Sequence, residues 1–309
     1  MIASTYVKRD ENAAVPGFRS GTRVLLSTIL YPLEYAQILI QLGYEPQPAR
    51  PHTTTNGRTI MIFPNIFEYA LYIYRYDGFS GCFRGVKPRI LGMIIGVTFS
   101  DRLANFFTPL EKQFSSNEER RIENFKHNFR RDLVVCLSSV IVSHPFQVIQ
   151  VRMMAQFIGR ETIYDSLITS IIEIYKNEGI YGFFQGLIPR MLNEIGSLLL
   201  TSACAYFINK HIVSKSFGRS YLSGAVQFCV THLLYPLQVV TTCMMVNGTK
   251  LLVANPPNSV VYKTWLHCLT EMDKMKQLSR GRTFFWRIKS TVPHVPIDSS
   301  YLNINHRYY

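Results

Sequence analysis

Asp77-Gly78-Phe79-Ser80-Gly81-Cys82-Phe83-Arg84-Gly85-Val86-Lys87-Pro88-Arg89 returns 101 residues later as Glu178-Gly179-Ile180-Tyr181-Gly182-Phe183-Phe184-Gln185-Gly186-Leu187-Ile188-Pro189-Arg190. Both copies keep the order acid, Gly, Gly, aromatic, Gly, Pro, Arg, and both lead straight into an apolar run. Self-similarity at this distance marks one structural unit used more than once. Neither P-loop nor Rossmann spacing is present, so the glycines read as turn geometry and not as a phosphate cradle.

Working outward, apolar and charged residues are strongly segregated along the 309-residue chain, although mean hydropathy is only +0.06. Leu133 to Val151 and Tyr221 to Val246 contain no Asp, Glu, Lys or Arg; Val24 to Leu42 has only Glu34, and Met191 to Ile208 only Glu194. Ile90 to Leu110 has Asp101 and Arg102. About 20 mostly apolar residues cross a bilayer, so five segments qualify, against the alternative of five buried helices in a soluble protein. The net charge of +13 falls between these runs, at Arg120, Arg121, Lys126, Arg130 and Arg131 in one loop and at Arg280, Arg282, Arg287 and Lys289 near the end. Basic loops beside spans match anionic lipid headgroups better than nucleic acid. Asp10 and Glu11 interrupt any Arg-rich leader, and no signal-peptide core precedes them, so targeting is expected to be internal. The six cysteines form no C-x-x-C pair, and no disulfide, metal or cofactor site is expected.

Each unit reads as a proline-bearing spanning helix, a loop, a short amphipathic helix, the Gly-rich turn and a second spanning helix. The first unit (residues 1–110) carries Pro32, the second (111–212) Pro145 and the third (213–309) Pro236. In the first, Pro46 to Pro64 reads as a long loop and Ile66 to Tyr76 as the short helix. In the second, Leu167, Ile171, Ile174 and Tyr175 recur at helical spacing. In the third, Tyr262 to Gln277 is the short helix, but Ser279 to Arg287 keeps only an echo of the glycine pattern. Pro293 to Tyr309 is polar and cannot span. The expectation is an all-α membrane bundle of three repeats with five transmembrane helices and the sixth missing.

This pattern resembles the mitochondrial carrier superfamily, whose signature is P-x-[DE]-x-x-[KR]-x-[KR] followed by [DE]-G-x-x-x-x-aromatic-[KR]-G. Here Gln37 stands where the first unit needs a cation, the second unit runs Pro145-Phe146-Gln147-Val148-Ile149-Gln150-Val151-Arg152, and the third runs Pro236-Leu237-Gln238-Val239-Val240-Thr241. The resemblance implies that these charges form an ion-pair gate in an ordinary carrier, and here the gate is neutralised. Gln41 to Pro46, His144-Pro145-Phe146 and Gln156 to Glu161 resemble a divergent branch, the mitochondrial carrier homologs of the outer membrane. That resemblance implies insertion of tail-anchored α-helical proteins, lipid scrambling and reception of a pro-apoptotic BH3 protein, with no enzymatic activity.

The residues add a physical route. Glu34, Gln37 and Gln41 share one face of the first spanning helix; Arg190, Glu194, Ser197 and Thr201 share one face of the fourth; Gly224, Gln227, Thr231, Gln238 and Thr242 line the fifth. A central charge in hydrocarbon costs about 2.5–3.5 kcal/mol on insertion scales, so such stripes face a cavity or one another. Arg190 and Glu194 at i, i+4 could simply pair. Gly92, Gly96 and Ser100 read as helix packing. A ring lacking its sixth helix opens its polar interior sideways to lipid, between the fifth and first helices. Glu34, Gln37, Gln41, Gln147, Arg152, Arg190, Glu194, Gln227 and Gln238 are the expected lining of a client path, on a frame held by Pro32, Pro145, Pro236, Gly78, Gly85, Gly179 and Gly186. The expected partners are tail-anchored clients and membrane lipids. Two other readings are a solute carrier with an unusual gate and a passive receptor recruiting partners through its loops.

Overall fold

A computed structural model describes residues 24–54, 57–108, 118–211, 216–256 and 258–288. The N-terminal residues and the polar tail from Pro293 lie outside them. The architecture is predominantly helical. Helix α1 is Tyr31–Gln41, β1 Arg50–Thr53, β2 Thr59–Phe63, α2 Ile66–Gly81 and α3 Val86–Phe107. Next come α4 Glu118–Gly159, α5 Leu167–Glu178, α6 Leu187–His211, α7 Ser216–Val246, α8 Trp265–Lys274 and β3 Arg287–Ile288.

Among the described residues, three helices are long and apolar enough to cross a membrane, within 86–107, 126–159 and 224–246. Two of the five expected spans fall short of that joint standard. Helix α6 has the length, at 25 residues, but carries a polar stripe. The first run is helical over 24–29 and again from Tyr31, with a break at Leu30. Pro32 sits in the first turn of α1, where its missing N–H removes no helical hydrogen bond. Pro145 and Pro236 instead lie inside α4 and α7.

Two expectations need correction. Residues 118–131 are not a loop but the start of α4, which at 42 residues is about 63 Å long. Glu, Arg and Lys are strong helix formers, so a charged run continues a helix as readily as it ends one. Arg131 then ties α4 to the end of α3, donating to the Thr108 carbonyl (2.6 Å) and Asn105 Oδ1 (2.7 Å). The stretch expected as a long loop is also partly strand. Within the expected loop, β1 and β2 form an antiparallel hairpin, and β3 pairs with β2 through Phe63–Arg287 and Ile62–Ile288. Asn56-Gly57 is a strong hairpin signal, and Gly57 takes φ 73°.

The core gathers where α1, α2 and α4 meet, with Tyr31, Tyr35, Leu39, Ile73, Val148, Met154 and Phe157 buried. Helix α3 packs along α4 through its small residues. A methyl added at Gly92 would lie 2.7 Å from Phe146 Cβ, and one at Gly96 3.3 Å from Ser139 Oγ. The outer face of α3 leaves Ile94, Val97 and Phe99 exposed, as a lipid-facing helix does. Helix α5 begins with a capping box in which the Ser166 and Thr169 side chains each satisfy the other's backbone N–H. Ser166→Ala is expected to lower stability by about 1 kcal/mol, read as a fall in thermal midpoint in detergent.

Candidate functional site

The site rests on a base that repeats three times. The residue before each odd-helix proline bonds the carbonyl just before a glycine. Tyr31 Oη donates to Arg84 O (2.6 Å), His144 Nε2 meets Gln185 O (2.9 Å) and Tyr235 Oη donates to Arg280 O (2.6 Å). The glycines that follow, Gly85, Gly186 and Gly281, all have positive φ, at 85°, 78° and 71°. Each lies against the carbonyl five residues past the proline of the next repeat. A Cβ would stand 3.2 Å from Gln150 O at Gly85, 2.9 Å from Thr241 O at Gly186 and 3.5 Å from Gln37 O at Gly281. A side chain at such a position meets both backbone strain and a close neighbour. Gly78 and Gly179 also have positive φ (71° and 66°), at the kink of α2 and the end of α5.

The third copy of the turn therefore survives although its sequence has decayed. After Gly186 the chain rises into α6, whereas after Gly281 it turns away into β3. Gln37 Nε2 donates to Gly281 O (3.3 Å), closing repeat three onto repeat one. Gln41 reinforces the seam, donating to Tyr235 Oη (3.0 Å) and accepting from Thr242 Oγ1 (2.7 Å). Outside it, Arg287 pairs with Glu45 and donates to Pro64 O (2.8 Å). Burial pushes the Glu45 carboxyl up to about 7, against the pull of the Arg287 and Arg280 guanidinia.

Above this base, polar side chains separate into two sets. In the first, neighbours satisfy them. Arg152 is wholly buried; its Nη1 and Nη2 reach Glu178 Oε1 and Oε2 at 2.5 and 2.8 Å, and its Nε donates to Met245 O at 2.9 Å. Arg190 is buried between Ser143 Oγ (2.9 Å) and His144 Nδ1 (3.2 Å). No ion pair joins Arg190 to Glu194 among the described residues. Gln227 links α7 to α6 through Thr201 (3.0 Å) and Ser197 (3.4 Å). Gln41, Arg152, Arg190 and Gln227, expected along the client path, thus tie helices together; for the buried Gln41, Arg152 and Arg190, burial without partners would be too costly.

The second set is half-exposed. Glu34 pairs with Arg89 and accepts from Gln150 Nε2 (3.3 Å). This is one link between repeats at the level where the carrier signature carries its charges. Gln37 donates to Gly281 O and lies beside the Tyr235 hydroxyl. Gln147 Oε1 is buried with no hydrogen-bond partner among the described residues. Glu194 and Gln238 are half-buried, and no side-chain hydrogen bond joins either to another described residue. Tyr31, Arg89, Glu178, Tyr235 and Gly281 were not singled out from sequence for these contacts; the recurring polar ring before each proline was the available signal.

The family described as Mitochondrial carrier protein matches residues 20–105 and 133–216. The chain is 34% identical over 278 residues to "Mitochondrial carrier homolog 2" of Mus musculus, covering 85% of this chain and 90% of that one. It is 32% identical over 288 residues to "Mitochondrial carrier homolog 1" of Mus musculus, covering 85% and 74%. To "ADP/ATP translocase 4" of Mus musculus it is 24% identical over 193 residues, covering 62% and 55%.

Proposed function

This chain belongs to the mitochondrial carrier family, among its carrier homologs, and we propose that it is an insertase of the outer mitochondrial membrane for tail-anchored and other α-helical proteins. Five helices cross the bilayer in this reading, and the polar interior opens to lipid between α7 and α1. The observation that carries it is the polar set Gln147, Glu194 and Gln238, whose side chains make no hydrogen bond among the described residues, beside a third glycine turn that leads into β3 and into no helix among those residues. Polar groups in hydrocarbon need partners. A client's hydrophilic end supplies and finds them here while its apolar helix leaves sideways into lipid. Client partitioning drives the step, with no nucleotide or other cofactor. A lipid headgroup finds the same partners, so scrambling is a second activity of one groove.

Solute exchange is the less favoured reading. A carrier gate needs a closed set of inter-repeat pairs to alternate between two states, and Gln150–Glu34 is one such link, while among the described residues Gln147 and Gln238 form none. The experiment is insertion of a chaperone-bound tail-anchored protein into liposomes holding the purified chain, scored by protease protection. Glu194→Leu is expected to cut insertion about 2- to 10-fold, the worth of one net hydrogen bond of 0.5–1.5 kcal/mol, with an unchanged thermal midpoint. Normal insertion by the folded variant removes Glu194 from the path; no insertion by the parent protein removes the reading.

A further inference from the structure

Beside the seam between repeats three and one lies a cation that no described acid answers. Arg280 sits in the turn that follows α8, one residue before the positive-φ Gly281. Its carbonyl accepts from Tyr235 Oη, which fixes the backbone, and its Nη2 donates to Gln277 Oε1, which fixes the side chain. The guanidinium then lies against Gly43, just past α1. A Cβ at Gly43 would stand 2.5 Å from Arg280 Nη1 and 3.0 Å from its Cζ, so this glycine, at φ 90°, clears the room that the cation occupies. Arg280 Nε is buried, with no hydrogen-bond partner among the described residues. No carboxylate forms an ion pair with Arg280 among those residues. Glu45, whose carboxyl feels Arg280, is paired with Arg287. Two guanidinia thus share one carboxylate. An arginine does not shed its proton, and a shielded cation without its counter-charge is costly.

The same guanidinium lines a cavity of about 290 Å³, bounded by the ends of α1 and α7, by residues 253–256 and 258–262 and by the turn after α8. Leu42, Val246, Val253, Val260 and Met275 give it a largely apolar wall. Its two asparagines are already engaged: Asn247 Nδ2 donates to Tyr262 O (2.7 Å) and Asn258 Nδ2 to Leu252 O (3.0 Å). Among the described lining residues there is no Asp, Glu or Lys and no second Arg. The volume lies at the small end of ligand cavities, which start at about 300 Å³. It suits a small molecule with one negative charge and an apolar body.

We infer that this cavity binds a small monocarboxylate with a short acyl chain, its carboxylate against the Arg280 guanidinium and its chain along Val246, Val253 and Val260. The site goes beyond the insertase reading and does not depend on it. A carboxylate on a guanidinium makes charge-assisted hydrogen bonds, and each methylene taken out of water adds to affinity. A phosphate suits the place less, because it asks for several donors or cations and meets one guanidinium in an apolar wall. The bound molecule touches α1, α7 and the turn after α8 together. It therefore clamps repeat three to repeat one beside the Gln37–Gly281 contact.

The test follows the thermal midpoint of the full-length protein in detergent as octanoate is titrated, with octanamide as its uncharged counterpart and inorganic phosphate as the bare anion. A ligand that binds the folded state raises the midpoint. The expected result is a saturable rise with octanoate, reached with octanamide only at about ten-fold higher concentration or more, as the loss of a charge-assisted hydrogen bond requires, and no rise with phosphate. No saturable rise, an equal rise with octanamide, or a rise with phosphate at the same concentration overturns the inference. Arg280→Gln is expected to raise the half-saturating octanoate concentration about ten-fold or more. Val260→Trp keeps Arg280 and fills the cavity, so it serves even where Arg280→Gln does not fold. Its midpoint is expected to ignore octanoate; a response equal to the parent's overturns the placement.

Discussion

Arg152→Met is expected to lower stability by about 3–5 kcal/mol, the usual cost of breaking a buried ion pair from one side. The guanidinium is wholly buried, is bidentate to Glu178 and also bonds the Met245 carbonyl of α7. Its loss leaves a largely buried carboxylate without its cation and a helix end without its donor. One side chain thus joins α4, the end of α5 and α7, so repeats two and three are expected to loosen together. A thermal melt in detergent reads the effect directly. The double variant Arg152→Met with Glu178→Met is expected to recover much of the loss, because replacing both partners of a buried pair is often near neutral. A single variant that melts with the parent would show that the pair carries no stability.

Gly281→Leu is the second large effect, and it acts on sealing more than on stability. The residue has φ 71°, where a side chain costs about 1–2 kcal/mol. Its Cβ would also stand 3.0 Å from Tyr235 Oη and 3.3 Å from Ile40 Cγ2. The seam between repeats three and one is therefore forced apart at the base of the proposed groove. Proteoliposomes carrying the variant are expected to release a small trapped dye several-fold faster than those carrying the parent. Gly248→Leu is the matched control: its φ is 74°, but nothing lies within 4 Å of an added Cβ. Equal leak from parent and both variants would mean that Gly281 does not seal the base.

The frame was legible because its signals are local. A proline, a glycine that must take positive φ and a long apolar run each act through their own backbone and neighbours. Hence the repeats, the short helices near Ile66, Leu167 and Trp265, and the packing role of Gly92 and Gly96 could be read directly. The β1–β2 hairpin, with Gly57 at positive φ, was equally local but lay hidden in a stretch dominated by Pro and Thr. The charged start of α4 was ambiguous, since the same residues suit a solvated loop and a helix.

The polar stripes show where local reading stops. Helical spacing places Gln37, Gln41, Arg152, Arg190 and Glu194 on faces, but a face does not say which neighbour arrives there. Arg152 finds Glu178, Arg190 finds His144 and Gln41 finds Tyr235, 194 residues away. Glu194 and Gln238 carry the same kinds of polar group, and among the described residues no side-chain hydrogen bond holds either. The sequence alone determined that this chain repeats a carrier unit, that amides replace most of the signature charges while Glu34 and Arg152 remain, and that the third unit keeps only an echo of the glycine pattern. Only the tertiary structure decided that the third turn still closes the ring through Gly281 and that β3 is drawn off to pair with β2. It also decided which polar groups are spent on holding helices together and which remain half-exposed. The physical reason is that conformational preference is written residue by residue, whereas hydrogen-bond satisfaction depends on partners brought together from distant parts of the chain.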